Sequence, residues 1–160
     1  MEIVSKISEK DYVSVLFTIL WSKRSIKFCT IIFILIFIFG FLNVTVLKTA
    51  DPITLLFPLL FLTVFSGSIY LGAKRTFKTD ARVREMIRYV FEDAKLIIRG
   101  ESFESVLSWD RVYKVTRSKR WLLIWQNNML ANAIAMANLD EQKLSYLRGV
   151  LNTNKVNNSI

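Results

Sequence analysis

The chain has 160 residues, a formal net charge of +9 and a mean hydropathy of +0.35, so it has room for one domain with a small appendage. It has no His, which excludes His-dependent catalytic triads and His-bearing zinc sites, and its single cysteine, Cys29, cannot form an intrachain disulfide. The positive charge favours an anionic partner, whether lipid head groups, nucleic acid or an acidic protein.

Residues 1–24 precede the first long apolar stretch and form a juxtamembrane segment in this interpretation. The stretch Ser8–Asp11, followed by YVSVLFTILW, is typical of a capped helix start. Residues 1–7 are too short to stand alone, so they are expected to form either a frayed end or an added strand.

Residues 25–75 contain two uncharged stretches, 28–47 and 53–73, each long enough for a helix that crosses about 30 Å of hydrocarbon. Only KTADP separates them, so they predict a tight transmembrane hairpin. The first stretch is too long for a cleaved signal peptide, and a second one follows it. Neither stretch carries a charged residue of the kind that transporters place at the midplane, so the hairpin is interpreted as an anchor.

Basic residues flank the two outer ends of the predicted hairpin, while its loop carries one Lys against one Asp. This bias predicts a multi-pass membrane protein with both termini in the cytoplasm. Small residues four apart, Thr63 with Gly67 and Ser68 with Gly72, either let the two helices approach closely or reflect composition alone. The predicted membrane-anchoring flank comprises Trp21, Lys23, Arg24, Lys27, Tyr70, Lys74, Arg75 and Lys78.

The pattern changes after residue 85 to short β-branched or aromatic runs separated by turns, which predicts strands at 88–92, 95–99, 102–108, 112–116 and 121–125. Residues 129–137 suit a helix or a strand, and their place after two asparagines favours a final strand. Asn138 with Glu141 predicts the cap of an amphipathic helix that ends by Asn154. Residues 155–160 are expected to be a disordered tail.

The predicted fold class is therefore α+β: a two-helix transmembrane hairpin followed by a small antiparallel β half-barrel. The half-barrel domain covers residues 85–154 and is capped by the C-terminal helix. This order of elements is that of a pleckstrin-homology-like module.

Three stretches, VFEDAKLIIRGESFESVLSWDRVYKV, RWLLIW and DEQKLSYLRGVL, together with the two preceding spans, carry a resemblance over nearly the whole chain. In these features the chain resembles the YcxB-like family of bacterial membrane proteins, and Ser108-Trp109-Asp110 between two strands is the most telling piece. The resemblance implies a membrane-anchored domain of pleckstrin-homology type without established chemistry. The chain has Ile134-Ala135-Met136-Ala137 where the family has a Pro-Lys-Arg-like run, so a ligand site built on that run is not expected here.

Residues 108–125 combine basic and aromatic side chains in a predicted hairpin. Strand alternation places Tyr113 with Val115 on one face, and Trp121, Leu123 and Trp125 together on another, as core residues. The basic side chains then form a solvated loop, a contact for anionic lipid or a contact for an acidic protein; the tether beside a bilayer disfavours nucleic acid. The candidate contact residues are Arg111, Lys114, Arg117, Lys119 and Arg120.

The sequence predicts no enzyme, because its carboxylates lie near turns without a spaced cluster or a partner base. No cofactor or metal is expected. The favoured interpretation is a membrane-anchored binding protein that captures a protein partner, most concretely an immunity protein that neutralises a toxin acting at the inner membrane. The alternative is a lipid-responsive regulatory protein that binds anionic head groups.

Overall fold

A computed structural model describes residues 1–49 and 51–160. The chain divides into two compact units. The first, Met1–Val15 with Thr76–Ile160, is called the head, and the second, Leu16–Arg75, is called the helical pair. The described residues form an α+β fold, in agreement with the predicted class.

The head contains two four-stranded sheets, and the first of them, sheet A, begins with the N-terminal segment. Its strands lie in the order β1-β2-β3-β4, all antiparallel. They are β1 (Glu2–Ser5), β2 (Ile87–Phe91), β3 (Lys95–Arg99) and β4 (Glu104–Ser108). Glu2 pairs with Val90 and Ser5 with Ile87, so residues 1–7 provide an added strand, the second of the two expected outcomes.

Sheet B has the order β7-β6-β5-β8, in which only the short β8 runs parallel to its neighbour. Its strands are β5 (Lys114–Arg117), β6 (Trp121–Trp125), β7 (Ala131–Ala135) and β8 (Asn158–Ser159). The strand interpretation of residues 129–137 is thus confirmed for the central five, and a 3₁₀ turn, Met136–Asn138, follows. The expectation of a disordered tail is wrong, because Val156 is buried and β8 pairs with β5.

The C-terminal helix α5 (Glu141–Thr153) packs against both sheets through Leu144, Leu147 and Leu151, which belong to one apolar core. Its cap is Asp140, whose Oδ1 accepts a hydrogen bond from the Lys143 backbone N at 2.7 Å. The predicted cap, Asn138, is therefore wrong. The 3₁₀ turn at Met136–Asn138 ends before the helix, and the Asn138 side chain donates instead to the Val4 carbonyl at 3.0 Å.

The predicted alternation fails at the start of β5. Trp109–Arg111 forms a 3₁₀ turn, so the strand begins at Lys114 rather than at Val112. Val112 and Val115 are buried in the core, whereas Tyr113 lies outside the strand and is 51% exposed. The expectation that Tyr113 and Val115 share one face depended on strand alternation from Val112 onward, and the 3₁₀ turn interrupts that alternation.

The helices of the chain begin with α1 (Glu9–Ser22), which Ser8 and Asp11 cap as predicted: the Asp11 N donates to Ser8 Oγ at 3.2 Å. They continue with α2 (Arg24–Leu42), α3 (Leu56–Thr79) and the short α4 (Ala81–Arg84). With its flanking turns, α2 extends over Arg24–Leu47 and α3 over Pro52–Thr79. Both of these segments are long and apolar enough to cross a membrane.

Within the helical pair, α2 and α3 meet through aromatic rings. Phe33 and Phe61 stack with centroids 3.7 Å apart, and a Cβ added at Gly40 would lie 3.1 Å from Leu55 Cδ2. A Cβ added at Gly67 or Gly72 would meet nothing within 4 Å. The small residues of α3 therefore do not bring the two helices together, and Gly40 is the glycine at the close approach.

Candidate interaction surfaces

The helical pair presents a large apolar surface. None of the residues in the most apolar stretch of Arg24–Leu47 is buried, and only 6% of those in Pro52–Thr79 are. The core helix of a water-soluble domain buries its apolar face, so these two segments do not have that character.

The predicted anchoring flank lies at the outer ends of the same segments. The two aromatic members are exposed, Trp21 by 46% and Tyr70 by 43%, and Lys74 Nζ lies 4.8 Å from the Tyr70 ring centroid. Arg24, Lys27, Arg75 and Lys78 are exposed, and Lys23 is half-buried. All of these residues except Lys78, which belongs to the head, lie in the helical pair.

Four members of the five-residue basic set are exposed, including Arg120 with 67% of its side chain accessible, and two of the five contact other groups of the head. Arg120 Nη2 forms an ion pair with Asp11 Oδ1 of α1 at 3.3 Å. Lys114 is half-buried, with its Nζ 5.1 Å from the Trp125 ring centroid. Arg111, Arg117 and Lys119 are exposed. Two of the five cations are thus already held by groups of the head itself.

The aromatic residues of β6 are buried. Trp121, Leu123 and Trp125 share a face as predicted, and each is at most 3% exposed. They are not part of the core between the sheets, however, because that core takes the intervening Leu122 and Ile124. The strand is therefore buried on both sides.

Hydrogen bonds fix the indoles of this second face. Trp121 Nε1 donates to Ser14 Oγ of α1 at 3.2 Å, and Trp125 Nε1 donates to Thr116 Oγ1 at 2.9 Å. A platform that stacks nucleic-acid bases needs exposed rings, so this hairpin cannot serve as one.

The outer side of sheet A carries paired charges. Arg88 Nη1 lies 3.7 Å from Glu2 Oε1, and Arg99 Nε lies 3.1 Å from Glu104 Oε1. Both pairs are about half exposed, so each contributes little to stability, but they neutralise this face.

A groove of about 490 Å³ lies between α5 and the turn that joins β2 to β3. This α5 groove is lined by Asp93, Tyr146, Gly149, Val150, Thr153 and Asn154. Tyr146 Oη donates to Asp93 Oδ1 at 3.5 Å. The pKa of Tyr146 is raised, chiefly by desolvation and secondly by the negative charge of the Asp93 carboxylate. Sequence analysis missed this site, although a glycine within an amphipathic helix was a visible signal.

The carboxylate of Glu85 holds the turn between β3 and β4. Its Oε2 accepts from the backbone N of Glu101 at 2.7 Å and of Ser102 at 2.9 Å, while Oε1 accepts from Ser102 Oγ at 2.6 Å. These bonds, the Ser102 hydroxyl first among them, lower the pKa of Glu85. The carboxylate is occupied by the turn, so its role is structural.

Over residues 1–49 and 51–160, no group of three or more Cys, Asp or Glu side chains could hold a metal ion. Comparison of the chain with protein-family models, with curated proteins and with solved structures finds no match in any of the three.

Proposed function

We propose that the chain is a non-catalytic binding protein anchored in the bacterial inner membrane, whose head captures a protein partner on the cytoplasmic side. The observation that carries this proposal is the exposure of two long apolar helical segments in a chain whose head packs as a compact unit of its own. Such segments are unfavourable in water and favourable in hydrocarbon.

The pairing of β1 with β2 supports a hairpin that crosses twice. Strand β1 precedes the helical pair in the chain and β2 follows it, yet the two lie side by side in sheet A. A chain that crosses a bilayer twice returns to its starting side, so this pairing requires an even number of crossings. The basic flanks then favour the cytoplasmic side for the head.

The head also fits a pleckstrin-homology-like module. Six antiparallel strands, β2 to β7, and the closing helix follow one another in the order expected of that module. In this proposal β1 and β8 are additions to the module, one from before the helical pair and one from after the closing helix. Membership in the YcxB-like family stays a prediction.

We infer that the partner is a protein, most concretely a toxin that acts at the inner membrane, so that the chain is an immunity protein. Asp11 offsets the charge of the exposed Arg120, and Lys114 is half-buried, which weakens the attraction of this surface for anionic lipid. The alternative, a lipid-responsive protein, is supported by the exposure of Arg111, Arg117 and Lys119.

Co-purification of the full chain in mild detergent distinguishes the two proposals. We expect a stoichiometric protein partner that stays bound in high salt, and cells that express the chain should survive a toxin encoded beside it. A combined Arg117→Gln and Lys119→Gln variant should retain this partner. Salt-sensitive binding to anionic vesicles that this variant loses, without any stoichiometric partner, would instead establish the lipid-responsive function.

A further inference from the structure

We propose that the α5 groove binds an arginine or lysine side chain that the protein partner presents on an exposed basic segment. This inference deepens the proposed function and depends on it. It names the place on the head where the partner is recognised and the chemistry that is recognised there.

The groove is formed by the head before any partner arrives. Asn154 Nδ2 donates to the Asp93 carbonyl at 2.7 Å and to the Val150 carbonyl at 2.9 Å, which ties the β2–β3 turn to the end of α5. Val150 is 7% exposed and lies at the base of the groove. A preformed site binds without first having to be ordered.

The charge of the groove favours a cation. Asp93 is exposed and, among the ion pairs of the described residues, it takes part in none, whereas Glu2, Glu92 and Glu104 each hold a basic partner. Tyr146, which is 40% exposed, also lines the groove, and its hydroxyl lies 3.5 Å from Asp93 Oδ1. A carboxylate with a phenol oxygen beside it offers hydrogen-bond acceptors to a guanidinium or ammonium group.

The shape of the groove suits a long side chain. The aliphatic stem of Arg or Lys packs on apolar surface while its charged end stays near water, and the groove offers Val150 and the open space over Gly149 for that stem. A Cβ at Gly149 would meet nothing within 4 Å, and its φ is not positive. Neither packing nor backbone geometry therefore requires this glycine, which keeps the groove open in the middle of α5.

The net charge of the chain opposes a cationic ligand at long range, so the proposal depends on the local charge of Asp93. At +9 the protein as a whole repels a cationic peptide, so attachment of such a peptide must come from a local acidic site. Binding that depends on Asp93 and on the space over Gly149 would locate that site in the α5 groove.

The test uses the full chain in a neutral detergent and a fluorescent Gly/Ser peptide with one central arginine. The matched control peptide carries citrulline, which has the same shape without the charge. We expect the arginine peptide to bind. Asp93→Asn should weaken its binding by about tenfold or more through loss of a charge-assisted contact. Gly149→Leu should weaken its binding by a similar factor, because the leucine side chain fills the open space over Gly149. Glu101→Gln, another exposed carboxylate, and Ser145→Leu, another exposed position of α5, should bind as the wild type does.

Failure to bind, equal binding of the citrulline peptide, or unchanged binding by Asp93→Asn and Gly149→Leu would overturn the groove proposal. The same variants separate it from the proposed function. A stoichiometric partner that co-purifies equally with Asp93→Asn leaves the function standing and removes the groove. Groove-dependent peptide binding without any stoichiometric protein partner would leave the groove as a cation site and remove the proposed function.

Discussion

Two glycines of the head occupy opposite surroundings. A Cβ at Gly149 would lie in open space, whereas a Cβ at Gly100 would lie 2.5 Å from both Glu85 Oε2 and Phe103 Cε1. The first position tolerates a side chain, and the second forces its neighbours to move. Identical substitutions should therefore change stability in opposite directions.

Gly149→Ala should raise the free energy of unfolding of the head by about 1 kcal/mol, because alanine is the better residue inside a helix and nothing obstructs its methyl group. Gly100→Ala should lower it by about 1–3 kcal/mol through overpacking against Glu85 and Phe103. Thermal unfolding of the two variants beside the wild type measures both. A destabilised Gly149→Ala would show that the glycine is structurally required.

Glu85 should make stability depend on acid. Hydrogen bonds from Ser102 and Glu101 lower the pKa of Glu85 below the 4.5 of a free glutamate, so folding favours its carboxylate form. This contribution is fully present above the unfolded pKa and is lost as the pH falls through the lower, folded pKa. Glu85→Gln should therefore be less stable than the wild type at neutral pH.

The difference in unfolding free energy between the wild type and Glu85→Gln should shrink once the pH falls below about 4.5, the unfolded value. Urea titrations across that range measure the difference. A gap that stays constant with pH would mean that the turn does not depend on the charge of Glu85. Glu101→Gln is the matched control, since that side chain is exposed in the same turn.

Among the elements, strand β1 has a buried and an exposed apolar residue next to each other, so the effects of truncating them can be compared. Ile3 is 2% exposed and belongs to the core, while its neighbour Val4 points to the other side and is 42% exposed. Ile3→Ala should cost about 2–5 kcal/mol of stability, as for other large-to-small core changes, and Val4→Ala much less. Equal losses in chemical denaturation would contradict the proposed place of β1 in the sheet.

The strands with strong local signals are the ones that could be predicted. Both β3 and β6 have the predicted bounds, because each has an uninterrupted apolar centre and is bounded by clear turn residues. Strands β1 and β8 are short and lack such a pattern, and their partners are distant in sequence. Tertiary pairing, which local sequence does not encode, decides whether these ends are ordered.

Among the candidate surfaces too, those with a local sequence signal could be predicted and those formed by distant segments could not. The two long apolar helical segments and their basic flanks are composition signals, so they could be predicted from the sequence. The α5 groove joins Asp93 to Tyr146 and Asn154 across the fold, and the contacts of Arg120 with Asp11 and of Trp121 with Ser14 join distant segments. Only the folded head reveals which of these side chains lie together.

At the scale of the whole molecule, the proposed topology predicts that the loop of the helical pair and the head are exposed on opposite sides of the membrane. In a Cys29→Ser background, Thr49→Cys should react with an impermeant thiol reagent added to intact cells. Asn128→Cys, in an exposed turn of the head, should react only after the cells are opened. The reverse pattern would invert the proposed orientation, and reaction of both in intact cells would contradict the double crossing.

During synthesis the ribosome releases β1 first, then the helical pair, and only afterwards β2. The edge of sheet A that β1 completes stays open until both hydrophobic segments have left the ribosome, because Glu2–Ser5 pairs with Ile87–Phe91. Closing so long a loop is entropically costly, and holding its two ends on one side of the bilayer reduces the distance they must search. In the proposed topology, insertion with two crossings is therefore a precondition for completing sheet A, and a chain inserted with one crossing would leave β1 and β2 on opposite sides of the bilayer and unpaired.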